Sequence, residues 1–98
     1  FNDKFNKPIL SWVPSIGVGQ IGFYKGRTFN EWNGDLLCTG AKYGLLIRLD
    51  YENNEILRKE ILIKDKIGRI RDFEIDRKGD IYLIVDEKNA SLWKLSKK

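Results

Sequence analysis

Residues 33–49, NGDLLCTGAKYGLLIRL, line up with residues 78–95, KGDIYLIVDEKNASLWKL, at an offset of about 45 residues with one residue inserted. A repeat of this length is a single supersecondary unit that cannot bury its apolar surface alone, so the copies must stack. Each copy reads as a hairpin, because short apolar runs alternate with clusters of Gly, Asn, Asp and Lys. The pattern predicts strands over 21–24, 35–39, 44–50, 55–64, 70–75, 80–85 and 91–95, and no helix. Four strands per unit at this period is the spacing of propeller blades. The expected fold is therefore all-β, with about two antiparallel four-stranded blades. One blade spans 21–64, and a second spans 70–95 without its outer strand. Phe23 and Phe73 are expected at corresponding places on the first strand of each blade. A loop over 1–20, carrying Pro8, Pro14, Gly17 and Gly19, leads into the first. The runs LLIRL (45–49) and IYLIV (81–85) are apolar on both sides of the pleat, which calls for cover on both faces. Two blades cannot close a ring, so the first and last sheets are expected to leave a face uncovered.

Composition narrows the class. The 98 residues are 42% hydrophobic and 33% charged, which fits one domain or part of a larger one. There is no methionine and the chain begins at Phe1, so a C-terminal piece of one propeller domain, or a processed product, is expected. The charge of +4 is spread along the sequence, with no helix-turn-helix, zinc finger or RNA-recognition motif, which argues against nucleic acid as the partner. The single cysteine, Cys38, cannot close an internal disulfide and sits among apolar neighbours, so it reads as a small buried residue. No apolar run approaches the roughly 20 residues of a membrane span.

Catalytic groupings are scarce. Without histidine the commonest general base is missing, together with the serine triad and most zinc sites. Residues 17–22, GVGQIG, match GxGxxG, but a dinucleotide fingerprint needs a strand before it and a helix after it. Here Pro14 precedes and FYKGRTF follows, so the glycines read instead as a tight passage into a crowded inner strand. The pattern GRIRDF (68–73) is more telling. In an extended chain Arg69 and Arg71 point one way and Ile70 the other, giving a pair of planar, permanently charged forks suited to a polyanion. Ideal alternation puts Asp72, Glu74 and Asp76 on the opposite face, and the alternative is that cross-strand acids neutralise the arginines. Lys42, in the glycine turn CTGAKYG (38–44), is either a solvated turn residue or a third cation meeting the pair at one end of the ring. Trp12 is either a packing anchor of its loop or a ligand-facing wall.

Taken together, SWVPSIGVGQIGFY (11–24), FNEWNGDLLCTGAK (29–42), GRIRDF and KGDIYLIVD (78–86) resemble the C-terminal part of the glucose/sorbosone dehydrogenases, the pyrroloquinoline-quinone-dependent aldose sugar dehydrogenases. The resemblance runs from about Trp12 to Leu95. It implies a six-bladed propeller that oxidises the anomeric carbon of aldoses, passing a hydride to the quinone, with calcium holding the cofactor. By position it makes Lys42, Arg69 and Arg71 cofactor contacts and Trp12 an aromatic near the sugar pocket. No catalytic or metal-binding residue falls within these 98, since the histidine base and the calcium ligands belong to earlier blades, so the isolated chain is expected to be inactive. A periplasmic or secreted location is implied as well. Departures are visible: GVGQIG stands where APSGMA is usual, and Arg77-Lys78 where Pro-Asp is usual. They leave a second reading, a non-catalytic propeller serving as an interaction platform.

Overall fold

The computed structural model describes residues 17–86 and 88–97. Among the described residues seven strands form two antiparallel sheets: β1 (Val18–Phe23), β2 (Leu36–Gly40), β3 (Leu45–Glu52) and β4 (Glu55–Ile63) in the first, and β5 (Ile70–Ile75), β6 (Ile81–Val85) and β7 (Ser91–Leu95) in the second. Neighbours in sequence are neighbours in the sheet, so each sheet is a simple meander. The all-β expectation holds, with three strands in the second sheet. Beyond the strands lie two single turns of 3-10 helix, Asn30–Trp32 and Ala41–Tyr43.

Hairpin chemistry sets the register. Between β3 and β4 the two turn residues Asn53 and Asn54 both take positive φ, 52° and 64°. That is the turn whose twist matches antiparallel strands, and Asn tolerates the left-handed region. β1 begins three residues earlier than the sequence pattern places it, because Gly17 and Gly19 read as loop breakers. Gly19 in fact lies inside the strand, where only a glycine fits: a β-carbon there would stand 2.8 Å from Thr39 Oγ1 and 3.0 Å from the Arg71 carbonyl oxygen. The strand bulges at this point, and the Gln20 N–H that leaves the ladder donates to Thr39 Oγ1 at 2.9 Å. With β1 running through GVGQIG and no helix after it, the dinucleotide reading is excluded.

The sheets stack face against face. Leu37 and Leu46 of the first meet Ile70, Phe73, Ile81, Leu83 and Val85 of the second in one buried cluster. Gly22 leaves room for the Phe73 ring, which would lie 3.6 Å from a β-carbon there. Each such side chain contributes about 1.5–3 kcal/mol by leaving water. Cys38 is buried as expected, and burial pushes its thiol up to about 11. Register corrects the pairing of Phe23 with Phe73. Phe73 faces Leu83 and Ile21 faces Cys38, so Phe73 corresponds to Ile21, while Phe23 corresponds to Ile75. Phe23 is accordingly 61% exposed, on the far face of the first sheet beside Ile21, Leu36 and Tyr51. On the far face of the second, Ile84 and Leu92 are exposed. Cover on both faces thus holds for residues 45–49 and fails for residues 81–85, and apolar surface stays exposed at Ile21 and Phe23 on one outer face and at Ile84 and Leu92 on the other.

The repeat has a structural core of its own. Gly34 and Gly79 both take positive φ, 91° and 108°, and each precedes a buried aspartate. Asp35 accepts from Arg48 Nη1 at 2.6 Å, and Asp80 faces Lys94 Nζ at 3.2 Å, the cation standing on the third strand in both sheets. The carbonyl of Asp35 accepts the Tyr24 N–H, and that of Asp80 accepts the Asp76 N–H. The loop after β1 then clasps the second sheet's turn. Tyr24 Oη donates to the Gly79 carbonyl at 2.6 Å and accepts the Phe29 N–H at 3.1 Å, Thr28 Oγ1 donates to Asp80 at 2.7 Å, and the Arg27 N–H donates to the Lys78 carbonyl. Asp76 Oδ1 accepts the N–H groups of Lys78, Gly79 and Asp80.

Two consequences can be measured in the full-length protein. Tyr24→Phe strands a buried carbonyl and a buried N–H, and is expected to lower unfolding stability by about 1–3 kcal/mol in denaturant titration. The Asp80 carboxyl is held below its ordinary value of 3.8 by the Thr28 hydroxyl first and then by Lys94, against the upward push of burial. A depressed folded value stabilises above the unfolded range and is lost as pH falls through it. The stability gap between wild type and Asp80→Asn should therefore stay constant above about pH 5 and shrink below about pH 4. A gap that ignores pH would contradict the assignment.

Candidate anion-binding site

Three connections meet at the end of the sheets opposite the clasp. The first is the turn after β2, which carries Lys42 and Tyr43 within a 3-10 turn and ends at Gly44, with φ 57°. The second is the segment from Lys64 to Arg69 that links the two sheets. The third is the start of β1 around Gly19. A β-carbon at Gly44 would fall on the Gly68 carbonyl oxygen, so the Lys42 turn lies directly against the residue before Arg69. The Asp65 N–H donates to the Tyr43 carbonyl at 3.0 Å and fixes the same approach. On the other side the Arg71 carbonyl packs on Gly19. Backbone contacts thus bring the segments bearing Lys42, Arg69 and Arg71 to one end of the molecule.

Strand β5 departs from ideal alternation here. Ile70 pairs with Val85 and Asp72 with Ile84, so two residues on β5 oppose one step on β6, and Arg71 is the extra residue of a bulge. Ile70 and Phe73 are both buried, while Arg71 and Glu74 are exposed and Asp72 is half-buried. The bulge therefore carries Arg71, Asp72 and Glu74 together away from the core. This overturns the separation of arginines from acids that an ideal strand would give. Asp72 nonetheless turns back to its own chain, accepting the Phe73 N–H at 2.8 Å. Arg69 lies just outside β5, exposed, with its carbonyl accepting the Asp86 N–H at 2.8 Å.

Among the described residues, Arg71 and Lys42 make no ion pair, although carboxylates elsewhere are taken up by Arg48, Arg58, Lys94 and Lys97. Lys42 Nζ instead lies 5.4 Å from the centroid of the Tyr43 ring, and Lys64 Nζ lies 6.0 Å from the same centroid. Tyr43 and Lys64 carry no sequence signal for a site, since their meeting depends on how the inter-sheet segment folds back over the turn. Trp12 lies outside the described residues. Among the described residues no group of three or more His, Cys, Asp and Glu side chains is placed to hold a metal ion, and no helix is long and apolar enough to cross a membrane. The end of the sheets therefore offers cations on a partly aromatic surface. It suits an anionic, planar ligand better than a metal.

Known proteins resemble the chain in sequence family and in fold. The family model described as glucose/sorbosone dehydrogenase matches residues 1–94. An uncharacterised protein of Synechocystis sp. is 32% identical over 91 residues, which is 90% of this chain and 21% of that protein. Two solved glucose dehydrogenase structures superpose on the whole chain with TM-scores of 0.86 at 28% identity, and the chain covers 29% and 28% of them. The chain thus spans less than a third of these relatives. Gly44→Ala tests the local geometry: the strain of positive φ and the displaced Gly68 carbonyl are expected to cost the full-length protein about 2 kcal/mol or more in denaturant titration. A loss below about 0.5 kcal/mol would show that the two segments do not press together.

Proposed function

The chain belongs to the glucose/sorbosone dehydrogenase family, and we propose that it is the C-terminal, two-blade part of a quinone-dependent enzyme oxidising the anomeric carbon of aldoses, in which Lys42, Arg69 and Arg71 hold the cofactor. The observation that carries this reading is the backbone contact of Gly44 with Gly68 and of Gly19 with Arg71, which gathers the three cation-bearing segments at one end. Pyrroloquinoline quinone is a planar tricarboxylate, and when bound it supplies the two-electron acceptor for the sugar's hydride. The residues here fit it: Arg71 and Lys42 form no ion pair among the described residues, and guanidinium forks suit carboxylates. Their task is to bind, to orient, and to stabilise by fixed positive charge the negative charge that builds up on the cofactor as it is reduced. In this reading calcium is held by other parts of the protein.

The open apolar faces at Phe23 and at Leu92 support the same picture, since further blades on either side would cover them. The test is reconstitution of the full-length protein with pyrroloquinoline quinone and calcium, followed by dye reduction with aldoses. Activity is expected with aldoses. Arg71→Ala and Arg69→Ala should each weaken cofactor binding by about 10- to 100-fold, as loss of a charge-assisted hydrogen bond implies. Absence of cofactor binding, or arginine variants that bind as wild type does, would overturn the proposal.

A further inference from the structure

We propose that Lys64 is a fourth cation of the anion site, seated beside Lys42 by the ring of Tyr43; the inference rests on the cofactor reading above and extends it to the segment between the sheets. Lys42 Nζ and Lys64 Nζ lie 5.4 Å and 6.0 Å from the centroid of this one partly exposed ring. Among the described residues neither lysine makes an ion pair. Two ammonium groups gathered at one ring, with no acid paired to either among the described residues, leave an excess of positive charge that the ring offsets only in part. A carboxylate arriving at the Lys42 turn relieves it, because it is attracted by both. The aromatic ring therefore acts as a platform that keeps the second charge at the Lys42 turn instead of letting a long side chain wander into solvent.

The placement of Lys64 is fixed by more than the ring. β4 ends at Ile63, and the Asp65 N–H donates to the Tyr43 carbonyl at 3.0 Å, so Lys64 is held between two anchored neighbours. Asp65 itself takes a positive φ of 52°, and the segment then runs to Gly68, against Gly44, and on to Arg69. Lys42, Lys64 and the arginines thus border one continuous stretch of backbone. The ligand this serves is a carboxylate of the polyanionic cofactor, met by ammonium groups on the Lys42 side and by guanidinium groups on the other.

The experiment titrates the full-length apoprotein with pyrroloquinoline quinone by absorbance at several salt concentrations. Lys64→Gln should raise the Kd about three- to tenfold, the range for one partly screened charge, and flatten the salt dependence. Lys64→Arg should restore binding, Tyr43→Leu should weaken it like Lys64→Gln, and Lys25→Gln, at the clasp end, should leave it unchanged. If Lys64→Gln binds as wild type while Arg71→Ala is weakened, the inference fails and the cofactor reading stands. If neither variant is weakened, both fail.

Discussion

Close approach of bare backbone is what the candidate site depends on. At Gly44 the chain passes so near the Gly68 carbonyl that no side chain could stand between them, and at Gly19 it does the same against Thr39 and the Arg71 carbonyl. These contacts fix the turn after β2, the inter-sheet segment and the start of β5 relative to one another. The cations are then set by rigid backbone instead of by loop wandering, which is what a site made of long, flexible side chains needs if it is to act on a defined ligand. A substitution that forced either pair apart would spread the charges without touching one of them.

The opposite end is built on a different interaction, and it is repeated. In each sheet a glycine in the left-handed region turns the chain so that the next aspartate is buried beneath it, facing a cation from the third strand. In the first sheet Arg48 also pairs with Glu60 and lies 5.7 Å from the Trp32 ring centroid, so its guanidinium is fully engaged. Burial alone would lower its pKa, but the hydrogen bonds to Glu60 and Asp35 raise it above the ordinary value. At this end Arg48 and Lys94 are paired with acids, while among the described residues Arg71, Lys42 and Lys64 at the other end form no ion pair. On the proposed reading that division separates a structural end from a ligand-facing one. The Tyr24 clasp ties the first to the second sheet and so holds the register on which the site relies.

Much of the architecture was legible because it follows from local pattern. The apolar runs at 70–75 and 91–95 became β5 and β7 with the expected bounds, and the repeat told where hairpins recur. The two copies share a Gly-Asp, but the burial of Asp35 and Asp80 and the cations they face come only from the folded structure. What was illegible depends on partners. The bulge at Arg71 is a property of the β5–β6 register, so alternation counted along one strand put Asp72 and Glu74 on the wrong face. The sequence pattern puts Gly19 in the entry loop instead of in β1; its crowding was expected, but that β2 and β5 supply it is set by their packing. Tyr43 and Lys64 are far apart in sequence and meet only through the path of the inter-sheet segment.

The chain spans less than a third of the glucose dehydrogenases it resembles, and on the proposed reading it supplies one wall of a larger site. Its proposed contribution is positive charge placed before the ligand arrives. The most direct test is a crystal structure of the full-length protein with pyrroloquinoline quinone. The account predicts cofactor carboxylates within hydrogen-bonding distance of Arg69, Arg71 and Lys42. Cofactor density elsewhere, with these side chains turned to solvent or paired with acids, would contradict it.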